Sequence, residues 1–447
     1  MSRSPIALGV LLAATTIGAG GPFLEKADLF EANSGGYAQY RIPGLVATKK
    51  GTILAYCEAR KSLRGDWGTI DILMRRSTDG GKTWGPPRKM ATPPENVTKN
   101  PVALAQGLAR PGEVTLNNPV AIADHRTGAV HFLYCVEYAR CFYRRSVDDG
   151  QTFTEPVEMT AAFERFRPKY PWKVLATGPG HGIGLSSGRL IVPVWLSTGT
   201  GGHAHRPSAA SVIYCDDHGE TWQRGEVVVA HPNPVNPSES AAVELADGRV
   251  MLNIRHESEP HLRAVSVSRD GATGWSPVRF DGRLPEPVCF GSLVRFSVRS
   301  QGGKDRILFV NPHNPEGRER RNLTVKLSED EGRTWPVSRP VEPGRSGYSD
   351  LAVGPDATIL CLYERSTACA GTNRPYSLCL ARFNLEWLTS GDGFHRLPLA
   401  NPLDPSDRLS NGVLRDLEHW SGDMLDEATV SGTGNGRGEA SVQQLLD

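Results

Sequence analysis

Ser77-Thr-Asp79-Gly-Gly81-Lys-Thr83-Trp84 has the form S-x-D-x-G-x-T-aromatic, and the form returns twice, as Ser146-Val-Asp148-Asp-Gly150-Gln-Thr152-Phe153 and Ser328-Glu-Asp330-Glu-Gly332-Arg-Thr334-Trp335. A fourth copy starts at Cys215 and keeps Asp217, Gly219, Thr221 and Trp222; a fifth, at Ser268, keeps Asp270 and Trp275 but loses central positions. Each copy makes physical sense as a turn. The aspartate accepts backbone and hydroxyl hydrogen bonds, the glycine takes a positive φ, and the aromatic ring packs the turn onto the next strand. The first positions, 77, 146, 215, 268 and 328, lie 69, 69, 53 and 60 residues apart. That is room for one four-stranded unit plus loops, so the copies read as propeller blades and not as separate domains. Thr52–Cys57, Ile70–Arg75, Ala129–Tyr134 and Arg306–Val310 all read as short strands behind glycine or aspartate turns. Residues 37–388 divided into units of roughly 59 residues predict an all-β, six-bladed β-propeller.

Composition narrows the function classes. The 447 residues carry 50 Lys plus Arg against 49 Asp plus Glu, a formal charge of +1, without the basic excess of many nucleic-acid binders. Eight cysteines in this length form no CxxC cluster, so neither zinc nor an iron–sulfur centre is expected; they read mainly as buried thiols, with Cys361, Cys369 and Cys379 the candidates for any disulfide. Residues 1–21 have Arg3, an apolar stretch from Ile6 to Leu12 and small residues to Gly21, the pattern of a short signal peptide, and thus a secreted or periplasmic location. No later segment has the apolar length of a transmembrane helix. Residues 22–411 are expected to form the propeller, and 412–447, with seven acidic residues and two arginines, an acidic flexible tail.

Tyr40-Arg41-Ile42-Pro43, followed by the repeated turns, resembles the exo-sialidases, the neuraminidase-type glycoside hydrolases with six-bladed propellers. The resemblance extends from about Tyr37 to Leu388. It implies that Arg41 binds a substrate carboxylate together with Arg255 of Asn253-Ile-Arg255-His and Arg320 of Arg320-Arg321-Asn-Leu, Arg321 being the alternative register. Guanidinium groups suit this task because each offers paired, charge-assisted hydrogen bonds to a carboxylate. By the same resemblance Tyr348 of Gly347-Tyr-Ser-Asp-Leu351 is the nucleophile, Glu239 of Ser238-Glu-Ser240 its base, Asp66 the acid/base, and Arg60 an auxiliary substrate-binding residue. A phenol, with a pKa near 10, needs such a base or a positive surrounding to attack at ordinary pH. The implied reaction is retaining hydrolysis of terminal α-linked sialic acids on oligosaccharides, glycoproteins or glycolipids, with water as second substrate and with no metal or other cofactor.

Other readings stay open at this level. The same arginines suit a hydrolase of a related nonulosonic acid, or a non-catalytic carbohydrate-binding or interaction propeller. Asp71 is the local alternative to Asp66, with a structural role favoured, and the repeat aspartates are assigned to turns. His181 reads as a loop or pocket-organising residue, and His203 and His205 as part of a glycine-rich surface loop. Val136–Cys141 is the segment expected to vary substrate side-chain contacts.

Overall fold

The computed structural model describes residues 21–259, 261–366, 375–390 and 395–396. The expected signal segment up to residue 20, the acidic tail and Cys369 lie outside the described residues. The fold is all-β among the described residues, apart from short helices such as Pro101–Ala105 and Thr160–Glu164.

Four antiparallel sheets follow one another along the chain. They start with strands Gln39–Ala47, Leu116–Ala123, Val174–Thr177 and Ser240–Glu244; three have four strands and the third has five. The remainder departs from the six-bladed expectation. It is a single open sheet of eight strands running from Leu24–Phe30 to Ser292–Ser297, so the architecture is a four-bladed propeller plus one large open sheet. The cause is the 17-residue strand Val337–Val353. Its first half pairs with Arg321–Ser328 and its second half with Ile359–Ser366, so no break separates the last two groups of strands. Dividing the length by a repeat could not reveal such a continuous strand.

Apolar clusters fill the spaces between neighbouring sheets. Leu54, Tyr56, Phe132 and Tyr134 join the first to the second, and Ile191, Val212, Val250 and Leu252 join the third to the fourth. At roughly 25 cal/mol per Å² of apolar surface buried, these layers hold the sheets face to face. The early strand Leu24–Phe30 also joins the late strand Tyr376–Phe383, with which it pairs antiparallel.

The repeated motifs close outer turns. Asp79 Oδ1 accepts from Ser77 Oγ at 2.7 Å and from the Thr83 amide at 2.9 Å, while Asp79 Oδ2 accepts from Thr83 Oγ1 at 2.6 Å. Asp148 and Asp330 repeat the set. At Cys215 the thiol takes over the serine's part, bonding Asp217 and receiving the Gly219 amide, both at 2.9 Å, so this turn is kept. In the first sheet the turn follows Ser77, whereas the Asp66 loop precedes Ile70 at the other end of the same strand. Eight residues at about 3.3 Å each put roughly 23 Å between the two ends. The repeats therefore support the sheets from the side away from the candidate site. The described cysteines Cys361 and Cys379 are buried and free, so neither is in a disulfide.

Candidate active site

Tyr348 stands in the middle of the long strand Val337–Val353, and its hydroxyl donates to Glu239 Oε1 at 2.7 Å. Arg255 Nη1 reaches the same phenol oxygen at 2.6 Å and also bonds Glu239 Oε2. The fourth sheet sets this pair. Glu239 precedes strand Ser240–Glu244 and Arg255 follows strand Val250–Ile254; the two strands pair, and the Arg255 amide donates to the Glu239 carbonyl at 3.0 Å. Burial pushes the Tyr348 phenol well above its ordinary pKa; Arg255 and Arg320 pull it down and Glu239 pushes it up. Tyr348 therefore keeps its proton, which points at a carboxylate.

Arg41 reaches the site through a local irregularity. The pairing of Gln39–Ala47 with Ile53–Arg60 slips between Arg41 and Gly44, and Ile42 takes a φ of 56°. The guanidinium is then caught by Glu364, at 3.0 Å from Nε and 3.1 Å from Nη2, and sits 5.4 Å from the centre of the Tyr348 ring. Glu364 also accepts the Ile42 amide at 3.0 Å and the Tyr348 amide at 3.1 Å. One fully buried carboxylate thus fixes an arginine and the tyrosine strand together.

Arg320 lies 5.1 Å from the Tyr348 ring centre and donates to the Val288 carbonyl at 2.6 Å. It has no carboxylate partner among the described residues, which leaves its charge available to an anion. Arg321 points elsewhere and pairs with Glu316 at 3.2 Å and Glu319 at 3.4 Å, so the register places Arg320 at the pocket.

Asp66 lies across the pocket, 2.9 Å from Arg60 Nη2 and 4.0 Å from Arg41 Nη1. Burial pushes its carboxyl up, but Arg60, His205 and Arg41 outweigh burial and hold it below the usual carboxylate range. His205 is itself pushed down to about 4 by burial, so at neutral pH the two arginines carry the effect. Arg60 is 1% exposed, stands behind Asp66 and off the pocket wall, and is bound by Glu58 at 2.7 Å and the Gly65 carbonyl at 3.1 Å. Asp71 is occupied in structure, accepting from the Tyr37 hydroxyl at 2.6 Å and pairing with Lys89 at 2.9 Å.

The pocket has a volume of about 220 Å³, and Arg41, Asp66, Glu239, Arg255, Arg320 and Tyr348 all line it. Sequence reasoning missed several of its walls. His205, read as part of a surface loop, lines the pocket and packs against Trp67, Tyr138 and Trp195 with ring centres 5.0 to 5.5 Å apart. Tyr138 comes from the segment expected to vary substrate contacts. His181 lies outside this pocket, against Asp350 at 2.8 Å, beside a larger cavity of about 670 Å³ that contains none of the candidate residues.

Residues 68–361 match the family described as the BNR repeat-like domain. The chain belongs to that family. Relatives of similar sequence include a sialidase of Micromonospora viridifaciens, 31% identical over 83% of this chain and 55% of its own length, and a sialidase of Bacteroides fragilis, 31% identical over 74% of this chain and 61% of its own. The chain therefore spans little more than half the length of these two relatives. Among solved structures, this BNR-type chain is similar to the Hadza microbial sialidase Hz136, with a TM-score of 0.65, 28% identity, and 81% of this chain and 69% of that one covered.

Proposed function

We propose that this chain is a retaining exo-α-sialidase that hydrolyses terminal α-linked sialic acids. The observation that carries the reading is the Tyr348 hydroxyl held between Glu239 at 2.7 Å and Arg255 at 2.6 Å, with Arg41 and Arg320 on the same ring. Similarity to the two bacterial sialidases supports it.

Arg41, Arg255 and Arg320 hold the sugar carboxylate. Tyr348 attacks the anomeric carbon while Glu239 takes the phenol proton, and Asp66 protonates the departing oxygen. A neutral phenol approaches this anionic sugar without the repulsion that a carboxylate nucleophile would meet. Asp66 must bring a proton although the two arginines favour its ionised form. The incoming carboxylate offsets their field, and a nearby negative charge raises the pKa of a carboxyl group. In the second half of the reaction Asp66, now a base, activates water against the glycosyl–tyrosine bond.

The test is to follow cleavage of an α-sialoside by NMR and to supply a fluorinated sialoside that slows the second step. The expected results are first release of the α-anomer and a sugar adduct mapped to Tyr348. Release of the β-anomer first, or sialic acid bound by folded protein without release, would overturn the reading.

A further inference from the structure

Lys99 is 7% exposed and Glu137 1%, and both lie off the pocket wall. An ammonium group has three hydrogens to place, and Lys99 Nζ reaches Glu137 Oε1 at 2.9 Å, Thr115 Oγ1 at 3.1 Å and the Trp67 carbonyl at 3.3 Å. Thr115 Oγ1 in turn donates to the Gly68 carbonyl at 2.7 Å, and its amide donates to Glu137 Oε1 at 2.7 Å. The carbonyls of the two residues that follow Asp66 are therefore tied to one buried ion pair.

The other end of that ion pair holds a strained turn. Glu137 and Tyr138 have φ values of 56° and 50°, in the left-handed region that side chains other than glycine enter at a cost. Asn100 Nδ2 supports the turn at the Glu137 carbonyl, 3.3 Å away. The turn lays the Tyr138 ring on Trp67, with centres 4.5 Å apart, and both rings meet His205. A loop that carries a carboxylate and a turn that carries an aromatic wall thus share one anchor.

We propose that Lys99 is a positioning residue that, through Thr115 and Glu137, sets the Asp66 loop against the Tyr138 turn and so aims the acid at the leaving oxygen. The proposal rests on the reading of Asp66 as the acid/base. A merely structural ion pair would affect every substrate alike. Misplacing the acid slows the first step, formation of the glycosyl–tyrosine, only for those whose leaving group needs a proton, while the later activation of water is common to all.

The experiment compares kcat/KM, which reports the first step alone, on a sialoside linked to a sugar hydroxyl and on an aryl sialoside, whose phenolate departs with little assistance. Wild type, Asp66→Asn, Lys99→Met, the Lys99→Met/Glu137→Gln double variant and Thr115→Val are measured, with thermal unfolding as the check on folding. Asp66→Asn sets the selective loss. The double variant leaves no unpaired buried charge, and Thr115→Val keeps the ion pair while freeing the Gly68 carbonyl. The expected result is a loss roughly ten- to hundredfold larger on the sugar-linked substrate in the Lys99 variants, the range in which small misplacements act, and a smaller shift in the same direction for Thr115→Val. Equal losses on both substrates, or wild-type selectivity in the double variant, beside a selective Asp66→Asn, would overturn the role of Lys99 alone. No cleavage of either sialoside by the wild type would overturn the function and this role together.

Discussion

Glu364 connects two parts of the site that lie 307 residues apart in the sequence, Arg41 and the Tyr348 backbone. Glu364→Gln removes the charge from a two-pronged bond to Arg41. Hydrogen bonds to charged groups contribute about 1.5–3 kcal/mol, so KM for a sialoside should rise roughly tenfold or more, with a smaller change in kcat, in steady-state kinetics. Glu239→Gln should do the reverse, lowering kcat by about 10²–10⁴ with KM little changed, because it removes the acceptor of the phenol proton. Arg41, Arg255, Tyr348 and Asp66 were legible in the sequence because each sits in a short local motif. Glu364 and His205 were not, since Glu364 meets Arg41 across 323 residues and His205 meets Trp67 across 138, and no spacing connects them. One signal was available. Ile359-Leu-Cys-Leu-Tyr-Glu364 and Ile53-Leu-Ala-Tyr-Cys-Glu58 each put a fully buried carboxylate after an apolar run within a strand, and a charge in such a run calls for a cation nearby.

The outer turns and the first strand carry stability, not chemistry. Asp148→Ala strips its turn of the bonds to Ser146 and Thr152 and should cost about 1–3 kcal/mol in denaturant unfolding while leaving kcat unchanged. Phe30, 4% exposed at the end of Leu24–Phe30, packs with Tyr40, Leu378 and Leu380. Phe30→Ala should cost about 3–5 kcal/mol by the same measurement. The strands around the repeats were readable because turn chemistry and apolar alternation are local. The joining of the last strands was not, because the bends of Val337–Val353 are register slips at Leu323 and between Ser346 and Ser349, and slips are set by the partner strand.

Across the molecule, stability should have an acid limit and an alkaline limit of different origin. Hydrogen bonds from Thr152 hold the Asp148 carboxyl at about 2, and against the push of burial Cys215 and Thr221 hold Asp217 at about 2. Both contribute fully above the unfolded value of about 3.9 and lose that contribution as pH falls through the folded value. His181 has the opposite sign. Burial pushes it down, but Asp350 outweighs burial and raises its pKa, so its contribution is complete below about 6.5 and fades as pH rises through the folded value. Asp350 also accepts from Ser292 Oγ at 2.7 Å and the Leu45 amide at 2.8 Å, which makes this clasp a meeting point of distant strands. Thermal midpoints measured against pH should fall on the alkaline side in the wild type and flatten there in His181→Gln. The pairing of Leu24–Phe30 with Tyr376–Phe383 has a consequence during biosynthesis. At about 5–20 residues per second the ribosome needs roughly 20–70 s to make the chain between them, and for all that time the first strand emerges with its partner not yet made. An early edge strand left waiting so long is open to pairing with another nascent chain, and its occupancy by a chaperone would set the yield of folded protein.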